Sequence, residues 1–595
     1  MTDANYWLRL SALRSSRRRL LGAAGALGGG LALAACSSSN NHGSKASSSG
    51  GGGNAPASGA AGGNATAAAQ PSNATQPKQG GTIQFSTTDP AALKQSDMNT
   101  ALNLSIWHLI GKRALTLDGE TKKLQGETVE SWEVPGDGTK FILHVRQNVK
   151  THPKPPANGR LFTAEDLAYN INRIAGKLDT PDHISLYQRA STMAGLDKAE
   201  ATDQFTCTVS MTQPSSTLLA GLTEIRNELM PKDVVEAKLF DNILSLAGHG
   251  PFMTKDYQEG QQMTAVRHPD YFVQGQPHAD QFVLNFFPDS ATALSAFLSG
   301  KLDIFGPTKE QIQAIKSSKP DAKYFSWPDL NWDHIRFQVE KPPFSDFRVR
   351  RAIFLAIDYK QLADGTYGNE WTYTGPLVPQ HPEAYTVDQI KQLPGYNSST
   401  KDKDIQQAKQ LMAAAGFQDG EIAFQIMPGS TLPTNTWYEN SIRIQDQLKK
   451  IWPKMNVQVT PPPDSATFAK QQAAGDFSTV SYTITSLPDP VLEISSQWHT
   501  TGGLLGSRNY GHFKNPDVDA LIDKAFQTLD NEARKSLLQD FQKRYFAEWL
   551  PAIQLCEEPD RYFVSPRLGG MDQITGPWWY TGYRIYDRAG VFFKT

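Results

Sequence analysis

The chain has 595 residues, of which 39% are hydrophobic and 20% charged, so it is long and apolar enough for two or more domains with large cores. The formal net charge of -2 leaves no surplus of basic side chains to neutralise phosphates, which argues against a nucleic-acid partner. The three cysteines form no CxxC motif and no cluster with histidine, so we expect neither a metal site nor a cofactor.

The N-terminal segment has the pattern of an export signal. Arg17 to Arg19 precede a short run rich in glycine, alanine and leucine, which ends at Leu33 to Cys36. This arrangement is typical of a signal peptide, here residues 1–36, and the paired arginines resemble the twin-arginine signal. The Leu-Ala-Ala-Cys sequence resembles a lipobox, in which Cys36 is diacylated and becomes the first residue of the mature chain. A transmembrane anchor is the alternative, but it needs about 20 apolar residues.

Residues 37–79 are mostly serine, glycine, asparagine and alanine, with almost no large apolar side chains. Such a segment cannot bury enough apolar surface to fold, so we predict a disordered tether. A tether behind a lipid anchor would hold the rest of an exported protein at the outer face of the cell membrane.

The stretch from Asn331 to Lys360 predicts a strand followed by a helix. Apolar and polar residues alternate from Ile335 to Glu340, which is the period of a half-buried strand. The two prolines at 342–343 donate no backbone N–H and therefore end it. Ser345 or Asp346 can cap the helix that follows, whose apolar residues repeat at helical spacing.

The exact residues of this stretch indicate a protein family, which its periodicity alone does not. Its segment KPPFSDFRVRRAIFLAID resembles the signature of the family 5 extracellular solute-binding proteins of peptide and nickel transporters. Three more motifs follow the family's order: a threonine-capped helix at Thr163 to Leu167, a Gly-Pro-Phe turn at Gly250 to Phe252, and a Gly-Pro-x-x-Pro loop at Gly375 to Pro379. The resemblance spans about residue 80 to the C-terminus.

The resemblance implies an α/β fold of two lobes. The expected architecture is the periplasmic-binding-protein fold of class II type, in the large version with an extra subdomain in the N-terminal lobe and two crossing hinge strands. Pro551 to Val564 is apolar enough to be the returning strand. The predicted boundaries are 80–122, 250–332 and 558–595 for lobe I, 123–249 for the extra subdomain, and 333–557 for lobe II.

The resemblance also points to a ligand loop at Ile484 to Pro490. In peptide-binding relatives an aspartate three positions before that of Pro-Asp-Pro pairs with the α-ammonium of the peptide, and here that position is Ser486. A neutral hydroxyl cannot supply this charge-assisted bond, so Asp489 is the substitute candidate, although its family role is structural. Aromatic side chains at predicted loop and strand ends would line the cleft. The predicted ligand-binding residues are Trp107, Trp332, Trp371, Tyr373, Ser486, Asp489 and Trp498.

We therefore predict the substrate-binding lipoprotein of an ABC importer, a monomer that delivers a solute to a permease and ATPase complex. Peptides are the favoured ligand, but the missing aspartate leaves room for an oligosaccharide, or for a metal chelate held by His499 and His512. No G-x-S-x-G, P-loop or H-E-x-x-H motif occurs, so we expect no enzyme, with a secreted hydrolase as the distant alternative. A chemosensory or chaperone-like binder without a permease is another alternative. Cys207 and Cys556 either pair or remain two buried thiols.

Overall fold

The structure begins where the tether was predicted to give way to a strand. The computed structural model describes residues 77–87, 97, 107–118, 123–178, 189–432, 435–501, 508–571 and 590–594, all within the unit Gly63–Thr595. The predicted signal peptide, Cys36 and nearly all of the predicted tether lie outside the described residues, as does the side chain of Trp107.

Short strands, mostly of two to seven residues, are interrupted by two much longer ones, β12 and β16. The described strands are β1 (Thr82–Thr87), β2 (Leu115–Leu117), β3 (Leu124–Gly126), β4 (Val129–Glu133), β5 (Lys140–Val145), β6 (Leu196–Ala201), β7 (Thr206–Met211), β8 (Phe252–Gln258), β9 (Gln262–Arg267), β10 (Gln281–Phe286), β11 (Ile304–Phe305), β12 (Lys323–Phe337), β13 (Ala423–Pro428), β14 (Asn456–Val459), β15 (Thr479–Thr485), β16 (Ala552–Val564), β17 (Leu568–Gly569) and β18 (Phe592–Phe593).

Helices connect the strands and cover the sheets. The described α-helices are α1 (Trp107–Ile110), α2 (Ala164–Ile174), α3 (Leu218–Gly221), α4 (Lys232–Glu236), α5 (Ser290–Leu298), α6 (Ile312–Ser318), α7 (Phe347–Ala356), α8 (Tyr359–Tyr367), α9 (Val387–Lys391), α10 (Lys401–Ala414), α11 (Thr436–Ile451), α12 (Ser465–Ala474), α13 (Pro490–Trp498), α14 (Pro516–Gln527) and α15 (Asn531–Arg544). A 3₁₀ turn at Ala190–Met193 and a π turn at Tyr545–Trp549 add to them.

Ten strands form one sheet in the order β14-β13-β15-β12-β16-β11-β1-β10-β9-β8. The long strands β12 and β16 lie at its centre and pair antiparallel with each other. The C-terminal half of β12 also pairs with β15, whereas the C-terminal end of β16 pairs with β11. Both strands therefore run from one half of the sheet into the other, and they confirm the predicted α/β fold of two lobes joined by two crossing strands.

Separate apolar cores lie on either side of the crossing. The largest packs α7, α8, α11 and the helices after β15 against β12, β13, β15 and β16. A second surrounds β1 and β8 to β10, and a third fills the space between α2 and a four-stranded sheet of order β4-β5-β7-β6. A small fourth core lies under α5 and α6. The residue boundaries of lobes and subdomain stay a prediction.

Local signals read from the sequence are confirmed at several helix ends. Asp346 caps α7 by accepting the backbone N–H of Arg348 at 2.8 Å. At α2, the carboxylate of Asp166 accepts the N–H of the cap residue Thr163 at 2.9 Å, which completes a capping box. Gly300 follows α5 with φ of 80°, the left-handed conformation that favours glycine. Strand β12 ends at Phe337, before the two prolines.

The alternative of a disulfide between Cys207 and Cys556 is wrong. Both are free and buried, Cys207 on β7 in the four-stranded sheet and Cys556 on β16. Burial raises the pKa of the Cys207 thiol to about 12 and that of Cys556 well above its usual range, so both remain protonated and chemically inert. Among the described residues, no helix has both the length and the apolar character required to cross a bilayer.

Candidate ligand-binding site

The loop that follows β15 lies against β12, because the two strands pair antiparallel up to its start. The Ser486 N–H donates to the Leu330 carbonyl at 3.1 Å, which extends the strand pairing by one bond. Its hydroxyl accepts the indole N–H of Trp332 at 3.2 Å, and both side chains are buried. Ser486 therefore presents no charge to a ligand, and an ammonium would find no charge-assisted partner in this side chain.

Asp489 is held by partners within the protein. Its carboxylate caps α13, accepting the N–H groups of Val491 at 2.8 Å and Leu492 at 3.3 Å. It also forms a buried ion pair with Arg534, whose guanidinium donates to Glu383 at 3.2 Å. These contacts give Asp489 a structural role at the start of α13, and its use as a substitute anchor stays a prediction.

Trp332 and Trp498 are core residues in this arrangement, with 0% and 1% of their surface exposed. The Trp498 ring packs edge-on against Tyr545, with centroids 5.3 Å apart, and under the Arg336 guanidinium at 4.6 Å. Neither indole offers a free face on which a sugar ring would stack. That they contact a ligand stays a prediction.

Trp371 and Tyr373 lie together beside the crossing strand β16. Their ring centroids are 4.5 Å apart, and the Trp371 indole N–H donates to Asp364 at 2.8 Å. Thr372, between them, exchanges backbone hydrogen bonds with Glu557 of β16. The pair is therefore placed at the crossing, although Tyr373 is only 8% exposed.

His499 and His512, the candidates for a metal chelate, lie beside different carboxylates. Nε2 of His499 is 3.4 Å from Asp523, and Nδ1 of His512 is 3.2 Å from Glu340. In the part of the chain that the structure describes, no group of three or more His, Cys, Asp or Glu side chains is placed to hold a metal ion.

A pair of carboxyl groups, the buried Asp333 and the partly buried Glu558, joins the two crossing strands. Thr483 Oγ1 lies 2.7 Å from Asp333 Oδ1 on β12 and 2.5 Å from Glu558 Oε1 on β16. Asp333 Oδ2 also accepts the Tyr367 hydroxyl at 2.5 Å and the Asn440 amide at 2.6 Å. One hydroxyl hydrogen cannot serve two carboxylates, so one of the two groups must itself donate.

The proton lies on Glu558, because Asp333 already accepts from both Tyr367 and Asn440. Burial, and after it the negative charge of Asp333, raise the pKa of Glu558 well above its usual range. Burial likewise raises the pKa of Asp333, against the hydrogen bonds that favour its charge. The crossing strands are thus held together by a carboxylic acid, a hydroxyl and a carboxylate.

Glu557, the residue before Glu558 on β16, does not contact Asp333 or Thr483 in this way but binds Gln380. Its Oε2 accepts the Gln380 amide at 2.7 Å, and the residue is fully buried. Burial raises the pKa of Glu557 from 4.5 to about 8. At neutral pH this side chain is therefore mostly protonated in the folded protein.

Glu557→Gln is expected to remove a pH dependence of stability. Between pH 4.5 and 8 the unfolded chain loses this proton while the folded protein keeps it, so the free energy of unfolding falls as pH rises, by up to about 1.4 kcal/mol per pH unit. We expect the difference in unfolding free energy between wild type and variant, from urea melts at pH 5 to 9, to fall across this window and level off above it.

The difference between the two proteins is needed because other groups titrate in the same range. Burial raises the pKa of Asp560 to about 7, which adds a slope of the same sign, whereas burial lowers that of His249 to about 3, which adds the opposite slope below pH 6.5. Both act equally in wild type and variant. The exposed Glu130→Gln is the matched control, and a flat difference for Glu557→Gln would refute the assignment.

Four buried or largely buried arginines meet near the ligand loop. Arg189 Nε donates to Glu224 Oε1 at 2.7 Å, and Arg226 Nη1 lies 3.7 Å from the same oxygen. Arg508 Nη1 donates to the Thr485 carbonyl at 2.8 Å. Its Nη2 lies 3.6 Å from Glu493. We call this set the arginine cluster: Arg189, Arg226, Arg336 and Arg508, with Glu224 and Glu493.

The predicted lobes also contact each other outside this cluster. On one side the Ser216 N–H donates to the Phe526 carbonyl at 2.9 Å, next to a cavity of about 570 Å³ that Asp489 and Arg534 help to line. On the other side Lys309 Nζ donates to the carbonyls of residues 365 and 366 at 2.9 and 2.7 Å.

Sequence reasoning did not find the carboxyl pair or the arginine cluster. Asp333 and Glu558 are 225 positions apart, and Arg189 and Arg508 are 319 apart, so no local motif contains them. A signal was available in the crossing strand itself: the run Glu557-Glu558-Pro559-Asp560 places three acids in a strand predicted to be buried.

The family is settled by comparison. The model of the bacterial extracellular solute-binding proteins, family 5 (middle), matches residues 123–503, which is more than half of the chain. This protein therefore belongs to that family, as the motifs around Pro342 had indicated.

Individual relatives agree. The chain is 27% identical over 465 residues to heme-binding protein A of Haemophilus influenzae, covering 75% of this chain and 81% of that protein. It is 23% identical over 442 residues to the dipeptide-binding protein of Escherichia coli, covering 71% and 79%. Among solved structures, the periplasmic binding protein DppA of Helicobacter pylori in complex with the peptide STSA superposes with a TM-score of 0.72 at 18% identity, covering 87% and 99%. That likeness supports the fold.

Proposed function

We propose that this protein is the exported, lipid-anchored substrate-binding component of an ABC importer. It captures a peptide between two closing lobes and delivers it to a permease and ATPase complex, without breaking a bond. The observation that carries the proposal is the family match over residues 123–503 on a fold with two crossing strands. Relatives named as binding dipeptides or holding the peptide STSA favour a peptide, although one is named for heme.

Closure follows from contacts on both sides of the crossing. A solute that touches both lobes binds the closed arrangement more tightly than the open one, and only that difference shifts the population. The contacts of Ser216 with Phe526 and of Lys309 with the α8 carbonyls are the ones that an opening motion about β12 and β16 would break.

The function is tested by native mass spectrometry of the protein purified from its own host, followed by calorimetric titration with synthetic peptides of two to five residues. We expect a co-purified peptide at one copy per chain and saturable binding of at least one synthetic peptide. A co-purified sugar or chelate, with no peptide bound in either experiment, would replace the peptide proposal.

Cys36→Ser is expected to release the protein from the membrane. The acyl chains of the group that is thioether-linked to Cys36 contribute about 0.8 kcal/mol per buried CH₂, and the variant has no thiol to carry that group. After growth with radiolabelled palmitate, the wild type should be labelled and sediment with membranes, whereas the variant should be neither. Cys207→Ser keeps Cys36 and is the control. Label that persists in Cys36→Ser would refute the lipobox.

A further inference from the structure

We propose that His152, His249 and His268 form an acid-sensitive joint, which holds the four-stranded sheet against the ten-stranded sheet at neutral pH and opens when the rings take up protons. The inference goes beyond the proposed function, because it concerns a conformational device in the fold and does not depend on which solute the protein binds.

The three histidines lie where the two sheets meet. His152 follows β5 of the four-stranded sheet, whereas His249 precedes β8 and His268 follows β9 of the ten-stranded sheet. All three are buried, with at most 1% of their surface exposed. The rings of His152 and His268 meet edge-on with centroids 4.8 Å apart, and the His249 ring stacks on Phe162 at 4.5 Å. We call this set the histidine cluster.

Hydrogen bonds fix the protonation state of His152. Its Nδ1 accepts the backbone N–H of Gly248 at 3.1 Å, so this nitrogen carries no proton. Its Nε2 donates to the carbonyl of Gly250 at 3.0 Å. A second proton on Nδ1 would face the Gly248 N–H, donor against donor. The closed joint therefore requires the neutral ring.

The other two rings also have no place for a second proton. Nδ1 of His268 donates to the same Gly250 carbonyl at 3.2 Å, and Nε2 of His249 lies 3.0 Å from the Thr128 hydroxyl. The remaining nitrogens, Nε2 of His268 and Nδ1 of His249, are buried without a well-aligned partner among the described residues. Protonating either nitrogen would bury an N–H group that has no acceptor, which is costly.

The charged groups around the cluster are already paired with one another. The pairs are Lys112–Glu127 at 3.3 Å, Arg160–Asp166 at 2.7 Å, Lys150–Asp270 at 3.2 Å and the buried His108–Glu228. Lys154 adds a positive charge, whose ammonium donates to the carbonyls of Leu244 and Thr254 at 2.7 Å. Each of these carboxylates thus has a cation beside it, which weakens the attraction that it exerts on a protonated ring.

Burial is the largest influence on the pKa of all three rings. It lowers the pKa of His249 to about 3 against the attraction of Asp166 and Glu127, and that of His152 well below its usual range. Burial also lowers the pKa of His268, although the backbone of Gly250 and the charge of Asp270 favour the protonated ring. At neutral pH the whole cluster is therefore uncharged.

Acid favours the open joint because opening brings the rings into water. An exposed ring has a pKa near 6.5, so below that pH the open form binds protons that the closed form does not bind. Each ring then favours opening by up to about tenfold per pH unit, and three rings together by up to about a thousandfold. The core of the four-stranded sheet includes Leu218, two residues after the Ser216 that contacts Phe526, so opening also frees this contact with lobe II.

Hydrogen exchange of the full-length protein between pH 5 and 6 tests the joint, with rates corrected for the intrinsic effect of pH. Peptides that contain the amides of His152, Gly250 and His268 report on the joint, since these amides donate across it or beside it. Peptides of β12 report on the crossing strands. We expect the opening constant of the joint to rise more than tenfold per pH unit as pH falls, while β12 stays protected. A parallel rise in β12 would mean that acid unfolds the whole chain, and would overturn the proposal.

The pH window keeps one nearby carboxylate out of the measurement. Against burial, the cations of Arg113 and Lys112 lower the pKa of Glu127 to about 2. Opening would let Glu127 take up a proton only below about pH 4.5, its value when exposed. Between pH 5 and 6 the slope therefore reports histidines.

Two variants test whether protons on these rings cause the opening. His249→Gln places an amide where Nε2 was, so it can still bind Thr128 but cannot gain a charge. It should reduce the rise of the opening constant by about tenfold per pH unit. His268→Asn places an amide where Nδ1 donates to Gly250 and should reduce the rise as well. Slopes equal to wild type in both variants would overturn the proposal.

His144→Gln is the matched control, because His144 lies on β5 of the same sheet but is partly exposed beside Glu133. Its slope should equal that of the wild type. If the cluster variants do not fold, the wild type alone decides. A rise of more than tenfold per pH unit that is confined to the joint supports the proposal, and an opening constant that does not change between pH 5 and 6 overturns it.

Discussion

Asp333→Ala is expected to lower the free energy of unfolding by about 3–5 kcal/mol. The change removes the acceptor of the Tyr367 hydroxyl and of the Asn440 amide, at 2.5 and 2.6 Å, and it leaves both donors buried without a partner. It also deletes the link through Thr483 between β12 and β16. Urea melts monitored by tryptophan fluorescence measure the loss.

Two variants at the same place separate hydrogen bonding from charge. Asp333→Asn keeps an oxygen for Tyr367 and Asn440 and turns its amide toward Thr483, so most of the loss should be recovered. Glu558→Gln should change stability by no more than about 1 kcal/mol, because the carboxyl it replaces is already neutral. A loss for Glu558→Gln as large as that for Asp333→Ala would place the proton on Asp333.

Arg534→Met is also expected to cost about 3–5 kcal/mol, because it leaves the buried carboxylate of Asp489 and the largely buried one of Glu383 without their cation. Met fills a similar volume, so the effect reports charge and hydrogen bonding more than packing. Since Asp489 caps α13, the variant should also loosen the loop that holds Ser486. Faster amide hydrogen exchange in residues 486–492 would show this.

Lys454→Met is the matched control. Lys454 pairs with Asp419 and Glu421 at 2.8 and 2.9 Å, but its side chain is 58% exposed, and exposed pairs contribute at most about 1 kcal/mol. Each variant replaces by Met a cation that pairs with two carboxylates, a guanidinium at 534 and an ammonium at 454. Equal losses for Lys454→Met and Arg534→Met would contradict the role assigned to the buried pair.

Local structure followed from the sequence because its causes are local. The cap at Asp346 and the capping box at Thr163 each depend on residues within four positions of one another. The crossing strand β16 was predicted because residues 551–564 are apolar enough for a buried strand. The two-lobed arrangement was predicted from the family motifs.

The candidate site was less accessible from the sequence, because burial and charge pairing depend on distant segments. Trp332 and Trp498 were predicted to line the cleft from loop or strand ends. Both instead lie in a core built from segments that are distant in the sequence. Asp489 was predicted as a substitute anchor for the ligand, and the sequence did not show that its carboxylate forms an ion pair with Arg534. Ser486 was recognised as neutral, but the positive charge around it came from arginines at 189, 226 and 508.

The central proposal is that the protein holds its solute between two hinged lobes. The Ser216 N–H donates to the Phe526 carbonyl at 2.9 Å, so cysteines at positions 216 and 527 are chosen to cross-link this contact by a disulfide. The doubly substituted Ser216→Cys/Gln527→Cys protein, purified from its own host and oxidised, should retain its solute through dialysis and release it on reduction, as monitored by native mass spectrometry. Equal loss of solute from the oxidised and reduced forms would contradict capture between the lobes.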